Sequence, residues 1–371
     1  MLQSPLLPVK PLSIQPFEYQ AAPARVIFGP GTLARLPEEA ERLGARRVLV
    51  LSTPGQRALA ERVTALLGAR AAGLFSRAAM HVPVETAREA REVARTLDAD
   101  CAVAIGGGST TGLGKAIALE TGLPIIAVPT TYAGSEMTPI YGLTEGGAKK
   151  TGRDARVLPR CVIYDPELTL GLPWAVTVTS AFNAIAHAAE GLYAPDGNPV
   201  VALMAEEGIR ACAAALPRLQ ADPRSLEARS DALYGAWLCG SVLGAITMGL
   251  HHKLCHMLGG SFNLPHAEVH TVVLPHALAY NASAAPDAMA RIARALGVPE
   301  AGQPPAAHAV QALARRHGAP LSLAAIGMPA NGLERAADLA VQNQYPNPRP
   351  LERPALRALL QRAFDGATPQ P

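Results

Sequence analysis

The stretch DCAVAIGGGSTTGLGKAIALETGLPIIAVP, Asp100 to Pro129, carries an apolar run into three consecutive glycines, then an Ala/Leu-rich helical pattern, then a second apolar run closed by proline. Short β-branched runs alternating with helical patterns mark parallel strands joined by crossover helices. The same alternation extends back through RRVLVL from Arg46 to RVIFG from Arg25, with helical stretches over 32–43, 55–68, 84–97 and 112–121. The expected first half is an α/β domain, a doubly wound parallel sheet with helices on both faces. After CVIYDPELTLGLP, 161–173, nearly everything is Ala/Leu-rich helix punctuated by Pro and Gly. Expected boundaries are therefore 1–165 for the α/β domain and 166–371 for an all-α domain, packed directly across a cleft because no low-complexity linker separates them.

A chain of 371 residues is long enough for two cores of ordinary size. Its 33 Lys+Arg against 30 Asp+Glu leave a charge of +3 without basic runs, which excludes a nucleic-acid partner. Cys101, Cys161, Cys212, Cys239 and Cys255 are scattered, odd in number and never spaced CxxC, so they read as core thiols of a reducing, cytoplasmic compartment. The first fifteen residues, with Pro5, Pro8, Pro11 and a single Lys10, lack an apolar segment ending in a cleavage motif and read as a loose arm. Ala232 to Leu250 is uncharged and just reaches membrane-spanning length. It contains Ser241, Thr247 and four glycines, with no second span and no aromatic belt elsewhere, so a buried core helix and no membrane partner are expected.

Gly106, Gly107 and Gly108 join a strand to a helix and remove the Cβ atoms that would keep a diphosphate from the backbone, while the helix start offers unpaired N–H groups. Ser109 adds a hydroxyl donor. The run is neither GxGxxG nor GxxxxGK[ST], so a kinase or ATPase reading is weak and a bare structural turn is the alternative. The next loop, VPTTYAGSEMTP from Val128, is dense in hydroxyls, and Thr130, Thr131, Ser135 and Thr138 are candidates to line the same crevice, the alternative being a capped surface turn.

Seven of the ten histidines fall between His187 and His276. Asn183 and His187 stand four apart and share a helical face, as do His252 and His256, and His266 follows Pro265 after a glycine break. Three imidazole nitrogens and one amide oxygen from two helices and a helix start are suitable ligands for zinc or Fe(II). His81, His270, His276, His308 and His317 read as structural.

Taken together, GGGS at Gly106, PTT…GSE at Pro129, NAIAHAAE at Asn183, and HxxxH with a later PH at His252, His256 and His266 resemble the iron-containing alcohol dehydrogenase superfamily over nearly the whole chain. The resemblance implies its architecture, an N-terminal NAD(P)-binding domain, a homodimer and a metal held at Asn183, His187, His252 and His266, with His256 near the nicotinamide. Three departures are informative. An amide stands at 183 where the family has Asp, Gly112 replaces the Asp of GGGSxxD, and Thr53 replaces an Asp at the end of the second strand. These departures, with MHVPVE at Met80 and NPRP at Asn347, resemble the maleylacetate reductase branch, which reduces a conjugated C=C bond to give 3-oxoadipate in aromatic-compound degradation. Loss of the ribose-binding carboxylate implies that NADPH serves as well as NADH.

The substrate so implied is a small dicarboxylate whose reduction develops an enolate, which needs a hydrogen-bond donor and an acid more than a Lewis acid, so metal is not expected to be required. His256 is the leading proton donor, with His252 its partner and His251 a third candidate. Lys150 is assigned to the cofactor and Lys149, Arg349, Tyr132 and Tyr141 to the substrate, with Arg153 a further cation. The rivals are a metal-dependent alcohol dehydrogenase, a dehydroquinate synthase-like lyase and a non-catalytic nucleotide-binding protein.

Overall fold

Alternation inside the apolar runs decides which side chains face which layer, as a period of two requires. The computed structural model describes residues 17–19, 21, 25–146, 148–299, 305–342 and 344–371, and the expected N-terminal arm, 1–15, lies outside them. The described strands are β1 (Arg25–Phe28), β2 (Val48–Leu51), β3 (Ala71–Phe75), β4 (Cys101–Gly106), β5 (Ile125–Pro129), β6 (Ile140–Glu145), β7 (Ala148–Arg153) and β8 (Cys161–Tyr164). Six form one all-parallel sheet in the order β1-β8-β5-β4-β2-β3, and β6 and β7 form an antiparallel hairpin. Helices α1 (Leu36–Arg42) and α2 (Arg57–Leu67) cover one face, where Val48, Val50, Val103, Ile105, Ile126 and Val128 meet Leu36, Ala60 and Val63. On the other, α3 (Val84–Thr96) and α4 (Gly108–Thr121) cover Leu49, Leu51 and Ala102 with Ala87, Ala90, Leu113 and Ile117. Strand order reverses between β2 and β4, so their carboxyl ends splay into the crevice where such sheets bind ligands.

Ala127, Val162 and Tyr164, on β5 and β8, instead join the core of the second half. That half is helical: α5 (Trp174–Gly191), α6 (Pro199–Ala221), α7 (Leu226–Ala245), α8 (Leu250–Phe262), α9 (His266–Asn281), α10 (Pro286–Ala295), α11 (Ala306–Arg316), α12 (Leu333–Gln342) and α13 (Arg353–Asp365). Helix α5 is buried from Thr177 to Gly191 and threads the centre of this core, as an all-round apolar sequence demands. The uncharged stretch is interrupted at Ile246–Gly249, where α8 leaves α7 at 95°, and no single helix among the described residues is long and apolar enough to cross a membrane. All five cysteines are buried and free.

The structure departs from the sequence reading at four strands and one helix start. β3 (AAGLF) is poor in β-branched residues and sits at the sheet edge, and β6 is half-exposed, so neither carries a strong local signal, while β8 (CVIY) lies where the sequence turns helical. Helix α4 begins at Gly108, so the glycine turn itself supplies the first helical turn, with its N–H groups at the crevice.

The loop after β5 crosses the helical half at a point with no room for side chains. Gly134 (φ 78°) faces Gly240 of α7, and a Cβ on Gly240 would stand 2.9 Å from the Gly134 Cα and carbonyl oxygen. Gly240→Ala therefore overpacks the junction, and urea unfolding is expected to show a loss of about 1–3 kcal/mol.

Candidate active site

One cavity of about 750 Å³ runs from the carboxyl ends of β2 and β4 to the helical half. At its sheet end Gly107, Gly108 and Ser109 sit at the start of α4, with Thr53 and Gln56 beyond β2 and Thr131, Ser135 and Thr138 from the next loop. At its helical end stand Asn183, His187, His252, His256 and His266. The imidazoles and the glycine turn thus meet in one cleft. Along α5 the lining residues Val176, Ser180, Asn183 and His187 follow the helical period, which puts them on one face.

Gly106 ends β4 just beneath the cleft and does not line it. Its φ of +151° and the 2.6 Å that a Cβ would leave to Gln56 Oε1 make it the bend that exposes the two glycines after it. Thr130 is also withdrawn, because its buried hydroxyl accepts from Gln56 Nε2 at 2.6 Å. Lys115, on α4, is fully buried and its ammonium donates to Ser135 O (2.6 Å), Ile140 O (2.7 Å) and Thr138 Oγ1 (2.9 Å), clamping the hydroxyl-rich loop over the cleft. Burial outweighs the attraction of Glu136 and lowers its pKa from 10.5 to about 7.

At the helical end one carboxylate organises the rings. Glu190 of α5 is buried and accepts the backbone N–H groups of His251 (2.9 Å), Gly249 (3.2 Å) and His252 (3.3 Å), and its Oε2 lies 2.7 Å from His252 Nδ1. Burial pushes His187, His252 and His270 well below the usual imidazole range. His252 Nδ1 thus faces Glu190 Oε2, with His251 Nδ1 3.3 Å away, and its Nε2 is without a partner. His256 and His266 are half-buried and stacked at 6.0 Å between ring centroids.

Several expected site residues lie elsewhere. His251 is fully buried behind His252, with Nε2 at 3.1 Å from His270 O, because neighbours on a helix point about 100° apart and cannot both face the cleft. Tyr132 turns inward, where its hydroxyl accepts from Arg229 at 3.2 Å. Lys150 is exposed and paired with Glu145 across the hairpin at 2.9 Å. Arg349 lies over the Tyr280 ring at 4.2 Å and donates to Tyr280 O, away from the cleft lining. The side chain of Lys149 lies outside the described residues. Tyr141 does line the cleft, as does Arg153, which also donates to Gly244 O (2.8 Å) and Ile246 O (3.2 Å) at the end of α7.

Glu190, Lys253, Gln56, Lys115 and the Met80–Val82 segment were missed by sequence reasoning, which also left His81 as structural. Lys253 in HHKLCH and Glu190, three residues after His187, each stood beside a recognised motif. His81 and Val82 have φ of 62° and 48°, and Thr144 holds both of their carbonyls.

Comparison with known proteins agrees over both halves. The model described as Iron-containing alcohol dehydrogenase matches 23–166, and that described as Fe-containing alcohol dehydrogenase family, C-terminal, matches 177–364. The chain belongs to the iron-containing alcohol dehydrogenase family. It is 68% identical over 353 residues to a maleylacetate reductase from Burkholderia cepacia, covering 95% of this chain and 99% of that one. A maleylacetate reductase from Pseudomonas sp. strain P51 is 60% identical, covering 94% and 97%. The crystal structure of maleylacetate reductase from Agrobacterium tumefaciens superposes with a TM-score of 0.91 at 56% identity, covering 96% of this chain and 100% of that one.

In this iron-containing alcohol dehydrogenase family member, three side chains at the helical end of the cleft present buried acceptors. Asn183 donates Nδ2 to Ala133 O at 3.2 Å, leaving Oδ1 without a partner, and His187 Nδ1 and His252 Nε2 are also unpartnered. Two imidazole nitrogens and an amide oxygen suit a divalent ion, and Glu190 behind His252 supplies the carboxylate–imidazole pairing common around metals. Two other groups, Glu190/His251/His252 and His251/Cys255/His270, also bring donor atoms within 4.8 Å of one another. The Glu190 oxygens already accept N–H groups, and burial raises the Cys255 thiol well above its ordinary range, so neither is a ready ligand set.

Replacing Lys115 by Met removes its hydrogen bonds to Ser135 O, Ile140 O and Thr138 Oγ1, an expected loss of about 1–3 kcal/mol in urea unfolding with a raised KM for NADH. Because the folded pKa lies below the unfolded one, the Lys115 contribution is fully present above pH 10.5 and is lost as pH falls through about 7. The stability gap between wild type and Lys115→Met should therefore change between those limits.

Proposed function

We infer that this chain reduces the carbon–carbon double bond of maleylacetate with NADH or NADPH, giving 3-oxoadipate in the breakdown of aromatic compounds. What carries the reading is a single cleft with a glycine cradle for a diphosphate at one end and imidazoles at the other, in a chain 68% identical to a maleylacetate reductase. A nicotinamide cofactor held in this cleft would supply the hydride for the alkene carbon β to the ketone. The rest falls to the chain's own side chains. Gly107, Gly108, Ser109 and the α4 amino terminus hold the diphosphate, with Thr53, Thr131 and Ser135 placed for ribose and amide groups, whereas the Thr138 hydroxyl is engaged by Lys115, Ile140 N and Ser135 O. Arg153 and Lys253 are the lining cations for the two carboxylates, and Tyr141 adds a hydroxyl.

Negative charge gathers on the ketone oxygen as the double bond is reduced. His256, half-buried and able to exchange protons with solvent, delivers the proton that completes the reaction. Asn183, His187, His252 and His266 would hold a divalent ion, which would polarise the ketone oxygen. All four are neutral donors, since no carboxylate stands at 183, so binding is weak and turnover does not depend on the ion. Absence of an acidic residue at Thr53 leaves space for a 2′-phosphate. A cytoplasmic homodimer is the expected form of the enzyme.

Chelator-treated protein should oxidise both NADH and NADPH with maleylacetate and form 3-oxoadipate. Activity appearing only on addition of iron or zinc would favour a metal-dependent dehydrogenase, and no net NAD(P)H consumption would favour a lyase. Lys253→Ala should raise the KM for maleylacetate roughly 10-fold, as for loss of one charge-assisted hydrogen bond, and leave the KM for NADH unchanged. Thr53→Asp should suppress use of NADPH and spare NADH.

A further inference from the structure

We propose that Glu190 is a positioning residue for the reduction, acting through His252, and that it divides acceptor from donor at the helical end of the cleft. The proposal rests on the maleylacetate reductase reading. Glu190 does not line the cavity, and it binds two things at once. Its carboxylate takes the N–H groups of Gly249, His251 and His252, the amino end of α8, where an anion is favoured by both the free donors and the helix dipole. The same carboxylate takes His252 Nδ1 at 2.7 Å. One group thus fixes where α8 starts and which nitrogen of its cleft-lining imidazole carries the proton.

The junction is built around that contact. A Cβ on Gly249 would stand 3.2 Å from Glu190 Oε1 and 3.4 Å from Pro346 O, so the residue before α8 is the one with no side chain. On the far side Tyr193 brings its hydroxyl to 3.5 Å from Glu190 Oε1. Both oxygens of Glu190 accept N–H groups, and an Nδ1–H given to Glu190 by His252 leaves Nε2 as a bare acceptor beside the unpartnered Asn183 Oδ1 and His187 Nδ1.

With its Nδ1–H given to Glu190, a singly protonated His252 has no N–H to offer an enolate oxygen. His252 accepts, and proton delivery falls to His256, whose ring centroid lies 6.3 Å away. A carboxamide at 190 keeps one acceptor for the α8 amino end but turns an NH2 group toward Nδ1, which favours the opposite tautomer and places a second donor in the cleft.

The test combines nitrogen NMR of 15N-histidine-labelled full-length enzyme with steady-state kinetics. His252 is assigned by its loss in His252→Gln. In wild type, His252 should show protonated Nδ1 and unprotonated Nε2 at neutral pH. Glu190→Gln should move the proton to Nε2 and lower kcat roughly 10- to 100-fold at unchanged KM for NADH, whereas Glu190→Asp, which keeps the anion, should retain the tautomer. An Nε2–H tautomer in wild type overturns the proposal even if neither variant folds. So does Glu190→Gln with wild-type kcat, or with reduced kcat and an unchanged His252 tautomer. Lack of maleylacetate turnover by wild type would instead sink the functional reading, which the NMR of unliganded protein does not depend on.

Discussion

The close approach of Gly134 to Gly240 is the constraint on which the cleft depends. Two stretches of backbone meet without intervening side chains, so the loop after β5 lies directly on α7 and against His187. That loop carries Thr131, Ser135 and Thr138 from the sheet half, and α5 brings Asn183 and His187 from the helical half. A side chain at the contact would hold the two halves apart, and the glycine turn and the imidazoles would no longer share one cavity.

Sheet and helices are joined around this contact by a continuous interior. Ala127, Val162 and Tyr164 leave the sheet face to pack with α5 and α7, and Tyr164 donates its hydroxyl to Glu136 at 2.8 Å. Lys115 binds the same loop from below, and Arg153 ties the hairpin to the end of α7. The loop is thereby gripped from both halves, which suits a surface that must present hydroxyls to a cofactor without rearranging.

Charge is distributed unevenly along the cleft. At the helical end burial lowers the pKa of His187 and His252, with Glu190 behind them, while the lining cations Arg153 and Lys253 are both exposed to water. Replacement of the family's Asp by Asn183 follows the same pattern, since it removes a negative charge from the place where enolate charge would gather.

The parallel sheet, the glycine turn and the pairing of Asn183 with His187 and of His252 with His256 were legible in the sequence, because periods of two and 3.6 are properties of the backbone itself and mark every residue that obeys them. By the same rule His251 could not share a face with His252. Tyr132, Lys150 and Arg349 were not placeable, since their partners Arg229, Glu145 and Tyr280 were brought to them by the tertiary structure and by the hairpin, and no local pattern announces such a pairing. Glu190, Lys115 and Lys253 gained their positions in the same way. Local chain geometry by itself determined which residue types were available for binding a dinucleotide and moving a proton; only the packing of the helical half on the sheet decided which of them face the cleft, because burial and partner choice are set by contacts between residues far apart in the chain.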